Sequence, residues 1–177
     1  TKNDKYIEYN SKKLYLNNNT LKINSGETEI QIEKTLDTKL ITLDYTKRWM
    51  HMVSGQDTFV AVSYDSNFAI YSKDGITWYN DSLLPITGSW SSIAYGNGKF
   101  VTIANGSNTS AYSYDGKNWS GSTLPSNSSW QSVAYGNGKF VAITNLSDKT
   151  AYSTDGVNWY SGSTIPIINW RYVTYGN

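Results

Sequence analysis

Carboxylates at a fixed interval are the first residues in this chain that could do chemistry. Asp74, Asp115 and Asp155 each precede a glycine (Gly75, Gly116, Gly156) and recur at intervals of 41 and 40 residues. Acids on a ring could hold a cation, and a facing pair could cleave a glycosidic bond. Their context argues for a structural role instead: an Asp side chain bonds its own backbone in turns, and the following glycine tolerates positive φ. Asp57, Asp65, Asp81 and Asp148 follow no interval and suggest no pair across a substrate. His51 is the only histidine and cysteine is absent. That leaves little for a serine triad or a His-rich zinc site, and nothing for a thiolate. The expectation is no catalytic residue, no metal and no cofactor.

Residues suited to binding recur as well. Trp90, Trp130 and Trp170 share one repeat position, and Asn105 and Asn145 are expected across the strands from the first two. Aromatic faces beside amide donors and acceptors suit sugar recognition, although a tryptophan at a fixed repeat position also suits packing between repeats. Lys99 and Lys139 follow Asn-Gly pairs and could form a basic ring; as solvated turn residues they need no such role.

What positions all of these is an internal repeat. Trp90–Trp119 and Trp130–Trp159 are identical at 20 of 30 positions, a weaker copy spans Trp49–Trp78, and a fourth begins at Trp170. Asn97-Gly98 and Asn137-Gly138 are type I′ hairpin signals. They set Tyr95 across from Phe100, Tyr135 from Phe140, Val133 from Ala142, Trp90 from Asn105 and Trp130 from Asn145. A second hairpin at each Asp-Gly is expected to set Tyr71, Tyr112 and Tyr152 across from Trp78, Trp119 and Trp159. Both faces of the first hairpin are apolar or small, as in a sheet covered on both sides. Four strands per repeat of 40–41 residues predict an all-β fold of β-propeller blades: 49–89, 90–129, 130–169 and a partial 170–177. Because a propeller takes about four blades or more, the expectation is a chain that is part of a longer polypeptide.

Residues 1–48 lack the repeat and carry 16 of the chain's 29 formal charges. Alternation in Tyr6–Tyr9, Leu14–Leu16, Leu21–Ile23, Glu29–Glu33 and Leu40–Leu43 predicts about five short strands. Such strands need partners. Either they form an oligomerising neck, which is the preferred expectation, or they add strands to the repeat array.

Composition supports a β- and turn-rich chain, with 15% aromatic and 16% charged residues. A net charge of +1 supplies no concentrated basic surface for nucleic acid, and no apolar run is long enough to cross a membrane.

The phrases AYSYDGKNW and AYSTDGVNW resemble the Asp-box of sialidase-like propellers, shortened by one residue between Asp and Gly. Membership of that family would imply an arginine triad, and this chain has only Arg48 and Arg171. The longer unit, WxSxAYGNGKFV followed by AYSxDGxNW, is similar to repeats in tail fibres and receptor-binding proteins of bacteriophages and phage-tail-like bacteriocins. That resemblance implies a non-enzymatic module in an extracellular particle that recognises a bacterial surface glycan or polymer. It also implies a homo-oligomer, such as a trimer, joined through the N-terminal segment, with other tail or baseplate proteins as partners. The other readings are a sialidase-like or lectin-like propeller whose key residues lie beyond residue 177, and a structural particle component.

Overall fold

Left-handed backbone at two successive residues closes each blade's first hairpin. Asn97 and Gly98 have φ of 46° and 70°, Asn137 and Gly138 45° and 73°, as a type I′ turn requires. In the first repeat Gln56 and Asp57 adopt the same conformation, at 47° and 54°, without the Asn-Gly signal. The computed structural model describes residues 47–176 throughout and, before them, the backbone of four strands.

Those four strands are β1 (Tyr6–Tyr9), β2 (Lys12–Asn17), β3 (Thr20–Asn24) and β4 (Glu29–Ile32). They pair with one another as an antiparallel meander, with Tyr6 opposite Tyr15, Leu14 opposite Ile23 and Leu21 opposite Ile32. They correspond to four of the five short strands expected there. The fifth expected strand, at residues 40–43, lies outside the described residues. The chain divides into two units, Thr1–Leu40 and Ile41–Asn177.

The second unit is all-β and consists of propeller blades. The first blade comprises β5 (Arg48–Gly55), β6 (Thr58–Tyr64), β7 (Ser66–Ser72) and the first half of β8 (Trp78–Gly96). The second half of β8 opens the next blade, with β9 (Lys99–Asn105), β10 (Ser107–Ser113) and β11 (Trp119–Ser128). This shared strand makes the two blades one continuous seven-stranded sheet. The third blade is β12 (Trp130–Gly136), β13 (Lys139–Thr144), β14 (Thr150–Ser153) and the short β15 (Tyr160–Ser161).

Register follows the Asn-Gly turns as expected: Tyr95 faces Phe100, Tyr135 faces Phe140 and Val133 faces Ala142. Two expectations need correction. Trp90 faces Ala104 and Trp130 faces Thr144, instead of Asn105 and Asn145, because a bulge one residue later takes up a position in the count. Past the Asp-Gly pairs, Tyr71 faces Tyr79, Tyr112 faces Ser120 and Tyr152 faces Tyr160. Only the glycine of each pair has positive φ, so these are longer loops and not type I′ turns.

The core lies between blades. Val60, Val62, Leu84, Trp90, Ile93 and Phe100 pack where blade one meets blade two. Val101, Ile103, Leu124, Trp130, Val133 and Phe140 do the same between blades two and three. Blade two therefore gives one face to each neighbour, which is why its strands are apolar on both sides. Gly96 lies beneath the Tyr135 ring of the next blade, so close that an added Cβ would fall inside the ring. Tyr95 covers Gly55 and Tyr175 covers Gly136 in the same way.

Candidate functional site

The first strands of successive blades are also joined by polar contacts. Ser92 Oγ accepts the Val133 N–H at 3.1 Å, and Ser132 Oγ accepts the Val173 N–H at 3.1 Å. In blade one His51 stands in that position, its Nδ1 accepting the Ile93 N–H at 3.1 Å with Ser92 Oγ also 3.1 Å away. Burial holds the imidazole below its ordinary 6.5. The accepting nitrogen must be unprotonated, so His51 is a neutral packing element here. Residues 170–176 thus sit where the first strand of a following blade would lie, although they carry no strand pairing.

The recurring aspartates are occupied within their own loops. Asp74 Oδ1 accepts the Ile76 and Thr77 N–H groups at 2.8 and 2.7 Å, and Asp155 Oδ1 accepts those of Val157 and Asn158, both at 2.8 Å. Asp115 repeats the pattern, and its Oδ2 accepts the Asn118 amide at 2.7 Å. Ser72, Ser113 and Ser153 donate to the same carboxylates and accept the N–H of Gly75, Gly116 and Gly156. The Thr77 and Ile76 N–H groups hold Asp74 down at about 2. At Asp115 and Asp155 desolvation is the largest single influence and pushes upward. The Asn118 and Asn158 N–H groups and the other donors together outweigh it, holding Asp115 at about 2 and Asp155 lower still. An oxygen that already accepts two or more N–H bonds has little capacity left for a substrate proton or a cation.

The expected binding rim is rearranged. Trp90 and Trp130 are buried, 0% and 1% exposed, so their faces pack between blades and cannot stack on a ligand as they stand. Trp130 Nε1 donates to Ser126 O at 3.0 Å and Trp170 Nε1 to Pro166 O at 2.8 Å. Asn105 donates to Trp130 O at 3.2 Å, tying blade two to blade three. Asn145 keeps a buried Oδ1 with no partner. Lys99 donates to Asp155 O at 3.0 Å and lies over the Tyr114 ring, while Lys139 lies over Tyr152. The remaining acids are dispersed: Asp65 meets Arg48 at 3.6 Å and Asp81 meets Lys117 at 2.8 Å. Among the described residues there is no group of three or more His, Asp or Glu that could hold a metal ion, and no helix long and apolar enough to cross a membrane.

A different surface is concave. A cleft of about 410 Å³ opens between Gly121–Thr123 of β11 and residues 157–160 of blade three. It is lined by Gly121, Ser122, Thr123, Val157, Asn158, Trp159 and Tyr160; the Tyr160 ring itself lies 5.7 Å from Tyr152. Sequence reasoning missed it, because the lining is set by how neighbouring blades approach each other, which the repeat spacing does not record.

Four-stranded blades packed face to face define the described unit as a β-propeller. No family model and no curated protein matches the chain. Solved structures do. One described as YCF48 bound to D1 peptide is 18% identical, covering 88% of this chain and 50% of that one with a TM-score of 0.53. A streptogramin B lyase is 14% identical over 97% of this chain and 58% of that one, with a TM-score of 0.63. A catalytically inactive virginiamycin B lyase from Staphylococcus aureus with quinupristin is 14% identical over 91% and 55%, at 0.62. The chain thus spans about half the length of these structures. At such identities the likeness is one of fold, and it extends to enzymes and to a peptide-bound protein alike.

Proposed function

We propose that this chain is a non-enzymatic binding module of a phage tail fibre or phage-tail-like particle, and that it recognises a glycan or polymer on a bacterial surface. The observation that carries the reading is the commitment of all three repeated carboxylates to backbone N–H groups. The residues most regular in sequence thereby serve folding. Exposed hydroxyl, amide and tyrosine groups on the surface are of the kind that binds sugars without transforming them. The repeat's resemblance to tail-fibre proteins supplies the setting, and the N-terminal unit supplies the segment through which copies would join.

Sedimentation of the chain with and without residues 1–40 tests the assembly, and a trimer that becomes a monomer is the expected result. Binding to isolated bacterial cell walls tests recognition. Retention on intact walls, and loss after their polysaccharide is stripped, is expected. Equal retention on stripped walls, or none on intact ones, overturns the reading.

A further inference from the structure

We propose that Ser110 holds the outer flank of the junction between blades two and three unlatched, the latch being a bond from Trp159 Nε1 to Ser122 Oγ. The closed form of that latch is present between blades one and two. There Trp119 Nε1 donates to Ser82 Oγ at 2.9 Å, and the same hydroxyl donates towards Gly116 O and Lys117 O, each 3.1 Å away. The Lys117–Asp81 ion pair, 2.8 Å, reinforces this flank. The second junction repeats the parts: Trp119 and Trp159 each stand three residues after the glycine of an Asp-Gly pair, and Ser82 and Ser122 each stand three before a proline. Only the bonding differs.

The cause lies in the neighbouring strand. Ser82 pairs across its sheet with Ala69, whereas Ser122 pairs with Ser110. The Ala69 methyl group offers a hydroxyl nothing, so Ser82 bonds the next blade; at the second junction Ser110 and Ser122 bond each other within blade two. Trp159 consequently keeps a buried Nε1 with no partner, which costs free energy that the Ser110–Ser122 bond offsets. Rotation about the Ser122 χ1 separates the two arrangements. The rest of the junction holds in both. Ser91 Oγ and the Asn105 amide donate to Trp130 O at 2.9 and 3.2 Å, and Lys99 donates to Asp155 O at 3.0 Å. Blades one and two also share β8 in one sheet, while blade three is a sheet of its own. The outer flank of blade three is thus the movable one. Ser122 and Trp159 both line the cleft between β11 and residues 157–160, so the state of the latch sets the shape of that surface.

The test is ¹⁵N-indole NMR of the full chain and its variants. Ser110→Ala removes the competing hydroxyl. The Trp159 indole N–H resonance is then expected to move downfield, and its exchange with solvent to slow by about tenfold, while Trp119 holds its place. Ser110→Ala/Ser122→Ala removes the latch as well and is expected to return the Trp159 resonance and its exchange rate to those of the parent. Ala69→Ser makes the reciprocal change at the first junction. It places a hydroxyl beside Ser82 and is expected to move the Trp119 N–H upfield and to speed its exchange by about the same factor. A Trp159 resonance unmoved by Ser110→Ala, or moved equally in the double variant, overturns the proposal, and so does a Trp119 resonance that ignores Ala69→Ser.

Discussion

Asp155 illustrates how a residue that suggests catalysis can be spent on folding. Its Oδ1 accepts the Val157 and Asn158 N–H groups and its Oδ2 accepts the Asn158 amide at 2.7 Å. Asp155→Ala is therefore expected to lower stability by about 1–2 kcal/mol, as loss of a helix-capping Asp does, and Asp155→Asn by less, since Asn keeps the accepting oxygen. Urea unfolding of the two variants checks the order. Acid acts on the same contacts. Asp74 and Asp115 are held at about 2 against an ordinary 3.8, so their contribution is complete above the ordinary value. It is lost as pH falls through 3.8 towards 2, where the folded-state groups take up protons. Leu146 shows the opposite economy. It has φ of 51° and is 66% exposed, at the turn where blade two has Gly106 at 73°. Left-handed backbone strains a leucine, so Leu146→Gly is expected to raise stability by about 0.5–1 kcal/mol in the same assay.

At the scale of the element, turn chemistry was legible wherever two residues alone decide it. Asn97-Gly98 and Asn137-Gly138 fixed strand register correctly because local φ requirements settle a type I′ hairpin. Gln56-Asp57 escaped notice because the backbone there is shaped by its pairing strands and not by residue preference. The bulges after Trp90 and Trp130 and the enlarged Asp loops were not legible either, since both depend on hydrogen bonds that composition does not record. Across elements, glycine matters through proximity. Gly96→Ala would place a methyl group inside the Tyr135 ring and is expected to cost about 1–3 kcal/mol, seen as a lower midpoint of thermal unfolding. His51 offers a pH signature on the first strand. Burial lowers its folded-state pKa below 6.5, so its contribution is complete above that value and is lost as pH falls through the folded-state value. His51→Ser restores the residue found in blades two and three. The variant is expected to flatten the change in melting temperature between about pH 7 and 5, whereas an unchanged slope would assign that pH dependence to other groups.

For the molecule as a whole, the repeat specified blades but concealed their junctions. Twenty shared positions between two copies identify what is common, and the departures, such as Val157 where blade two has Lys117 and Tyr160 where it has Ser120, distinguish one blade from the next. The tryptophans that seemed suited to a binding rim are instead what the blades have in common, buried at 0% and 1% exposure for Trp90 and Trp130. In repeat architectures stability is carried largely by contacts between neighbours, and here each junction uses the same pair, a tyrosine over glycine and an N–H on the residue at position 51, 92 or 132. Residues 170–176 supply that pair to blade three through Tyr175 and Val173, without any strand of their own to hold them. Removing them would bare Gly136 and leave Ser132 without the Val173 N–H, while the first two junctions remain intact. A chain ending at residue 169 is therefore expected to lose about 1–3 kcal/mol, with a smaller urea m-value because less surface is buried. Hydrogen exchange should rise first in β12 and β13 and leave β6 and β9 protected. Equal acceleration across all three blades would mean that the array unfolds as one unit and that its junctions do not act separately.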